Sequence, residues 1–476
     1  MSAARIHPAT SRVLPSLLRR AGRALPGIVL FLVTLGGICA AGVATAMGES
    51  YPAFDRPLGG PSSPGLPRPK PIPGGRITVA VVVGGTGSVT ADVLAPYEVF
   101  SRSDRFAVYT VAARRIPAAL SGGLHLLPDH TLDEIASGAL AEPDVVVVPA
   151  VADPGGGAEA PLRAWITARF RHGARVLGVC AGAELLAETG LLDGRRATSF
   201  WANLDSLERA YPRTRWERGQ RYVEDGAVIT TAGVTSGTVG ALRLVEALAG
   251  TAEARRIGAG LHYPGWTPDG PTAITANHLA PSDLPYVLNA AFPWLRPTVG
   301  IGLVDGVGEI DVAAAFEVYS GVSFAARAIP VGATGTVTTR HGVVLLTEPA
   351  GGTVPNPARF LIPGVRSVSD AGPVLTRWAS SRGLTPRLPG GGRRDTEFGF
   401  DPVLRDLAAD ADAATARSTA KFSEYPAGHL VLGGASWPWR PTALLAAALA
   451  VSAGAGLLPA AVRHSLTRRA AASAAP

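Results

Sequence analysis

Hydrophobic and polar positions divide the chain into three regimes. Two uninterrupted apolar runs, 26–47 and 441–462, stand near its two ends. Residues 48–76 are dominated by Pro, Gly and Ser without a period, which predicts an extended, semi-rigid linker. From residue 77, apolar blocks of strand length alternate with stretches of helical period. The blocks at 77–83, 106–111, 124–127, 145–149, 175–179 and 227–231 predict strands. The run Val-Val-Val-Val-Pro at 145–149 has the continuous apolar character of a strand covered on both faces. The stretches at 91–102, 161–172, 183–188 and 236–248 predict helices. Such alternation predicts an α/β fold over 77–250, a flavodoxin-like sandwich with helices on both faces of a parallel sheet.

The pattern then returns. Ala91-Asp-Val-Leu-Ala-Pro-Tyr-Glu-Val-Phe100 aligns with Ile310-Asp-Val-Ala-Ala-Ala-Phe-Glu-Val-Tyr319, and Gly123-Leu-His-Leu-Leu127 with Gly342-Val-Val-Leu-Leu346 in the same register. Pro143-Asp-Val-Val-Val-Val-Pro149 matches Pro357-Ala-Arg-Phe-Leu-Ile-Pro363 more loosely. The shared register favours duplication over chance similarity of two α/β units. Residues 298–437 therefore read as a second, degenerate copy, joined to the first by a connector, 251–297, rich in Pro, Gly and aromatics. The expected fold is two tandem copies flanked by two transmembrane helices.

Each apolar run has the roughly 20 residues a helix needs to cross a bilayer. Five Arg and no acid precede the end of the first run, and Arg463, Arg468 and Arg469 follow the second. The positive-inside rule then places the tails, 1–25 and 463–476, in the cytoplasm and the body outside it. Ala44-Thr45-Ala46 fits a signal-peptidase site, but the run is longer than a usual signal core, which favours an uncleaved anchor. Trp437 and Trp439 stand where an interfacial belt would.

The net charge of +7 belongs to those tails. Setting their eight Arg aside leaves 36 Lys and Arg against 37 Asp and Glu, a nearly neutral body without the electrostatic footprint of a nucleic-acid binder. Arg outnumbers Lys throughout, as in GC-rich bacterial genomes; Lys70 and Lys421 are the two lysines.

Candidate chemistry centres on Gly178-Val179-Cys180-Ala181-Gly182, at a predicted strand-to-helix turn. This is a nucleophile elbow written with Cys: small residues allow the sharp turn, and a helix N-terminus favours thiolate. The N–H groups near Gly178, Ala181 and Gly182 are candidates to hold an oxyanion. A small buried Cys packed at a sheet edge is the alternative; the strand, turn and helix all in place favour the functional reading. Cys39 lies in the first apolar run, so no disulfide can form within the body. Gly84-Gly-Thr-Gly87 lacks the third Gly of a dinucleotide fingerprint, and the His residues have no ligand spacing, so neither cofactor nor metal is expected.

Together Asp92-x-x-x-Pro96-x-Glu98-Val99-Phe100, the 145–149 strand, the Cys180 turn, Ala187-Glu-Thr-Gly-Leu-Leu-Asp-Gly-Arg-Arg-Ala-Thr198 and Ala227-Val-Ile-Thr-Thr-Ala-Gly-Val-Thr-Ser-Gly237 resemble the ThiJ/PfpI family of the class I glutamine-amidotransferase-like superfamily. Within it they are similar to the sensor-like domains at the front of AraC-type regulators, here without a helix-turn-helix. The resemblance implies an acidic partner for the Cys, matched by Asp92; N-capping of the next helix is its alternative role. Asp311, without a Cys partner, reads as a cap. The resemblance also implies departures: Ala181 stands where active members often carry His, Phe200 where regulator-like members carry His, and Pro149-Ala150-Val151 where an oxyanion-holding Pro-Gly-Gly is usual, leaving Ala150 in that role. Without a His base, amidotransferase or protease chemistry is not expected. Two readings stay open: a module that binds or senses a small molecule, and a hydratase, lyase or glyoxalase-type enzyme using Cys180 with Asp92. Partners are then an unnamed small molecule and the membrane, with a homodimer left open.

Overall fold

The structure is a computed structural model, and it describes residues 13–54, 67–69, 71–391 and 396–473. Arg5, Arg12, the middle of the Pro-rich linker and Lys70 lie outside the described residues. The chain separates into two units.

The smaller unit holds two long helices, α1 (Val13–Ser50), up to Ala46, and α14 (Trp439–Ser473). Leu25–Ser50 and Trp439–Ala470 are each long and apolar enough to cross a membrane. Within this unit the helices pass closely at Gly27 and Gly456, where a Cβ on Gly27 would lie 2.4 Å from the Gly456 carbonyl oxygen. Small residues at such a crossing let two backbones approach.

The larger unit begins at Met47. In chain order its first part contains β1 (Ile77–Val82), α2 (Thr90–Ser101), β2 (Phe106–Ala112), β3 (Ala118–Leu120), β4 (Leu124–Leu127), β5 (His130–Thr131), α3 (Leu132–Ala136), β6 (Val145–Val148), α4 (Ala160–Arg171), β7 (Arg175–Gly178) and α5 (Gly182–Glu188). β8 (Arg196–Ala197), α6 (Leu204–Ala210), β9 (Arg215–Trp216), β10 (Tyr222–Asp225), β11 (Val228–Thr231), α7 (Ser236–Ala249), α8 (Thr251–Leu261) and α9 (Leu284–Ala291), up to Asn289, follow. The last part holds β12 (Thr298–Leu303), α10 (Glu309–Phe316), β13 (Arg327–Gly332), β14 (Thr336–Thr338), β15 (Val344–Leu346), β16 (Glu348–Pro349), β17 (Arg359–Leu361), α11 (Gly372–Ser381), α12 (Phe400–Asp410) and α13 (Ala413–Phe422).

The main sheet has the order β10-β11-β7-β6-β1-β2-β5 and is parallel except for the edge strand β10. Its central strands are apolar on both faces because helices cover both. A second sheet, β16-β13-β12-β17, is wholly parallel. The block at 124–127 departs from expectation. Instead of joining the main sheet, β4 turns away through Gly122 and Gly123, both at positive φ, into an antiparallel sheet β14-β15-β4-β3. The connector carries the helices α8 and α9.

α2 is almost wholly buried, Asp92 and Glu98 included, as a helix packed on several sides must be. One of its neighbours is α10. Ala91 N–H at the start of α2 donates to Glu317 Oε1 at 3.2 Å, and Ile310 N–H at the start of α10 donates to Glu98 Oε2 at 2.7 Å. Each carboxylate thus satisfies an otherwise unpaired N–H at the start of the opposite helix. Ala91 and Ile310, like Glu98 and Glu317, are 219 residues apart. β4 and β15 pair Leu126 with Leu345, His125 with Leu346 and Leu127 with Val344, a register centred on two residues 219 apart.

Candidate functional site

Cys180 sits at the corner between β7 and α5, at φ +55, a left-handed conformation costing a non-glycine residue about 1–3 kcal/mol. The corner is pinned on both sides. Cys180 N–H donates to Thr231 Oγ1 at 3.3 Å, Ser199 Oγ donates to the Cys180 carbonyl at 3.0 Å, and Val179 N–H donates to the Val148 carbonyl at 2.8 Å. The side chain is inside, 5% exposed.

Three carboxyl groups act on the thiol, those of Asp92, Glu424 and Glu317, and two of them come from α2 and from the end of α10. Asp92, the third residue of α2, is completely buried, and its Oδ2 accepts the Ala150 N–H at 3.0 Å. Its Oδ1 has no hydrogen-bond partner. Glu317 comes from the π-helical turn Glu317–Gly321 that continues α10. Its Oε1 also accepts the Ser121 hydroxyl, whose oxygen accepts the Thr90 N–H at 2.8 Å.

A tyrosine from the chain just after α1 completes the site. Tyr51 hydrogen-bonds through its hydroxyl with Ser121, and its phenol feels the charges of Glu317, Asp92 and Cys180. Its ring lies against Gly87, at φ +109, where a Cβ would come within 2.5 Å of Tyr51 Cδ1. Neighbouring contacts hold this strap down. Glu49 pairs with Arg296 and Arg327, the Pro52 carbonyl bonds with His125 Nε2 at 2.8 Å, and the Phe54 ring meets His125. The first residues of the expected linker therefore belong to the body.

Burial sets the protonation states here. Desolvation pushes Asp92 well above the usual carboxylate range, and the Glu317 charge adds to it while the Ala150 N–H opposes it. Desolvation also raises Glu317 to about 7 against the hydrogen bonds from Ser121 and Ala91. The Cys180 thiol is driven up by burial and by Asp92, with smaller pushes from Glu424 and Glu317; the Ala181 N–H pulls the other way. The charged neighbours acting on the thiol are all acids.

Of the residues nominated from sequence, the fold brings Cys180, Asp92 and Ala181 together. The other oxyanion candidates are not free to serve. Ala150 N–H is taken by Asp92, and Gly182 N–H donates to the Val179 carbonyl at 2.7 Å. Gly178 and Gly182 are glycine for space: a Cβ would lie 2.7 Å from Leu186 Cδ1 at Gly178 and 2.2 Å from the Val148 carbonyl oxygen at Gly182. The helix following Cys180 has seven residues, too short a run of peptide dipoles for the thiolate argument. Neither Asp92 nor Asp311 is a cap, because α2 and α10 begin two residues before them and have Val89 and Gly308 at their N-caps.

Glu317, Ser121 and Tyr51 were not nominated. A Glu flanked by apolar residues in both aligned segments was a visible signal for Glu317 and Glu98. Tyr51 stood out little beside the Pro-rich stretch. No group of three or more His, Cys, Asp or Glu is placed to hold a metal among the described residues.

A parallel α/β sheet with a positive-φ Cys at a strand-to-helix corner and a buried Asp beside it defines a recognisable class. Residues 77–247 match the model of the DJ-1/PfpI family. The chain is 31% identical over 180 residues to isonitrile hydratase of Pseudomonas putida, covering 36% of this chain and 72% of that protein. It is also 31% identical over 134 residues to the HTH-type transcriptional regulator CdhR of Pseudomonas aeruginosa, spanning 28% of this chain and 38% of the regulator. Among solved structures, a ThiJ/PfpI family protein from Pseudomonas syringae is 26% identical with a TM-score of 0.36, covering 46% of this chain and 85% of that one. The chain belongs to the DJ-1/PfpI family.

Proposed function

We propose that this protein is a membrane-anchored member of the family whose body binds a small molecule at Cys180 and senses it without turning it over. The observation that carries this reading is the setting of the thiol, which is buried and, among the described residues, acted on by the acids Asp92, Glu424 and Glu317 and by no charged base, with Tyr51 on the same cluster. Cysteine attack needs thiolate or a base to make it. Asp92 Oδ1, without a partner, is the atom that offers a ligand a hydrogen bond.

Several finer features support the same picture. The Cys180 backbone fits an elbow. The long parallel strands run in the order 2-1-3-4-5 that flavodoxin-like sheets have. The reciprocal Glu98 and Glu317 bonds and the centred β4–β15 pairing support 298–437 as a degenerate second copy, packed against the first as a partner subunit would be. With α10 on α2, a homodimer would need another surface. The two apolar helices and their Arg flanks support a two-pass protein of bacterial type with both termini in the cytoplasm and the body outside it.

The 31% identity to isonitrile hydratase favours a second reading, in which Cys180 and Asp92 perform a hydration. Turnover of a small alkyl isonitrile by the full chain in detergent separates the two. The sensor reading expects no rate above that of Cys180→Ser; a rate that Cys180→Ser abolishes overturns it.

A further inference from the structure

A second polar site lies on the far side of the α2–α10 contact. A cavity of about 540 Å³ opens there, lined by Glu98 of α2, Arg102 just after it, Asp311 of α10, Arg340, Arg366 and Glu397 among others. Its volume is that of a site for a small organic ligand.

Most of its charges are already spoken for. Arg102 donates to Glu98 Oε1 through Nε at 3.0 Å and Nη2 at 2.6 Å, and through Nη1 to the Gly260 carbonyl at 3.1 Å. Glu98 Oε2 takes the Ile310 N–H, and Glu397 is paired with Arg405. Asp311 and Arg340 are different. Among the described residues neither side chain has a hydrogen bond or an ion pair, although both line the cavity. Asp311 lies in a cradle of three glycines. A Cβ at Gly308, Gly364 or Gly399 would lie within 2.7, 2.8 or 3.0 Å of its carboxyl oxygens. Arg340 is exposed at the mouth.

An unpartnered carboxyl and an unpartnered guanidinium on one polar cavity are complementary to a molecule carrying both charges. We infer that this cavity is a binding site for a small zwitterion, an amine that also bears a carboxylate, with the ammonium on Asp311 and the carboxylate on Arg340. A guanidinium is suited to bidentate capture of a carboxylate. The Asp311 carboxyl is held up to about 7 by burial and by Glu98, with Glu309 adding and Arg340 and Arg102 opposing. An arriving ammonium favours its ionised form. The inference rests on this cavity and not on the role of Cys180.

The test is calorimetric titration of the full chain in detergent with a graded set of probes: glycine, β-alanine, 4-aminobutyrate and 6-aminohexanoate, each against the alkylamine and the carboxylic acid of matched length. At least one amino acid is expected to bind about tenfold or more tightly than both of its single-charge analogues. Arg340→Gln, an exposed substitution, is expected to reduce that affinity to the level of the amine, and Asp311→Asn to that of the acid. Absence of binding by all four, an amine or acid that binds as tightly as the amino acid, or affinity unchanged in Arg340→Gln overturns the assignment.

Discussion

The Cys180 site and the Asp311 cavity have a similar layout and are furnished differently. Each has an Asp at the third residue of a buried helix and a Glu from the opposing helix near it, Asp92 with Glu317 and Asp311 with Glu98. In the first, Asp92 accepts a backbone N–H from the residue after Pro149; in the second, the residue after Pro363 is Gly364, which crowds the carboxyl without bonding to it. The first contains a thiol whose charge Tyr51 feels; the second has Arg340 at the position 219 residues after Ser121, and stands open. The layout fixes where a carboxyl can be buried, and the lining decides what it meets there. Fold alone therefore names neither ligand.

Neutralising one side of the comparison gives the largest expected effect. Glu317 has a folded pKa of about 7, above the usual ~4.3 of an unfolded Glu. A carboxyl raised in the folded state contributes stability that is fully present below the unfolded value and is lost as pH rises through the folded one. Glu424, also raised to about 7 by burial, acts in the same direction. Stability carried by these groups is thus expected to fall between about pH 4.5 and 7. Glu317→Gln is expected to flatten that fall by about 1–3 kcal/mol while keeping an acceptor for the Ala91 N–H. Thermal unfolding of both proteins from pH 4 to 8 measures it, and parallel profiles would contradict the assignment.

A smaller effect is expected from the strap. Tyr51→Ala opens the Cys180 side and leaves the Asp311 side as it is. Alkylation of Cys180 by iodoacetamide, followed by mass spectrometry, is expected to speed up by about tenfold, the equivalent of about 1.4 kcal/mol. An unchanged rate would mean that Tyr51 does not limit access.

Much of this fold was legible because its strands are continuous apolar runs and its helices have a clear period. The blocks at 145–149 and 175–179 became adjacent strands within a residue of their expected ends. Leu124–Leu127 could not be placed, since an apolar tetrapeptide reads the same in either sheet and its partner, Val344–Leu346, lies over 200 residues away. The site was half legible. Cys180 and Asp92 announced themselves through local spacing. Hydrogen bonding decided the rest: Ala150 N–H looks available in sequence, but the buried Asp92 carboxyl beside it takes it. Glu317 and Tyr51 reach the site from distant segments, and no local pattern records where a side chain ends.

The central claim is that Cys180 is a protonated, buried thiol, and its titration tests that most directly. In a Cys39→Ser background, with Cys39→Ser/Cys180→Ser as blank, the rate of Cys180 alkylation is followed from pH 6 to 10. The account predicts a rate rising about tenfold per pH unit with no plateau up to the unperturbed thiol value of ~8.5, because burial and the nearby acids hold the proton on sulfur. A plateau reached below pH 7 would reveal a stabilised thiolate and contradict it, moving the protein to the cysteine-dependent enzymes of its family.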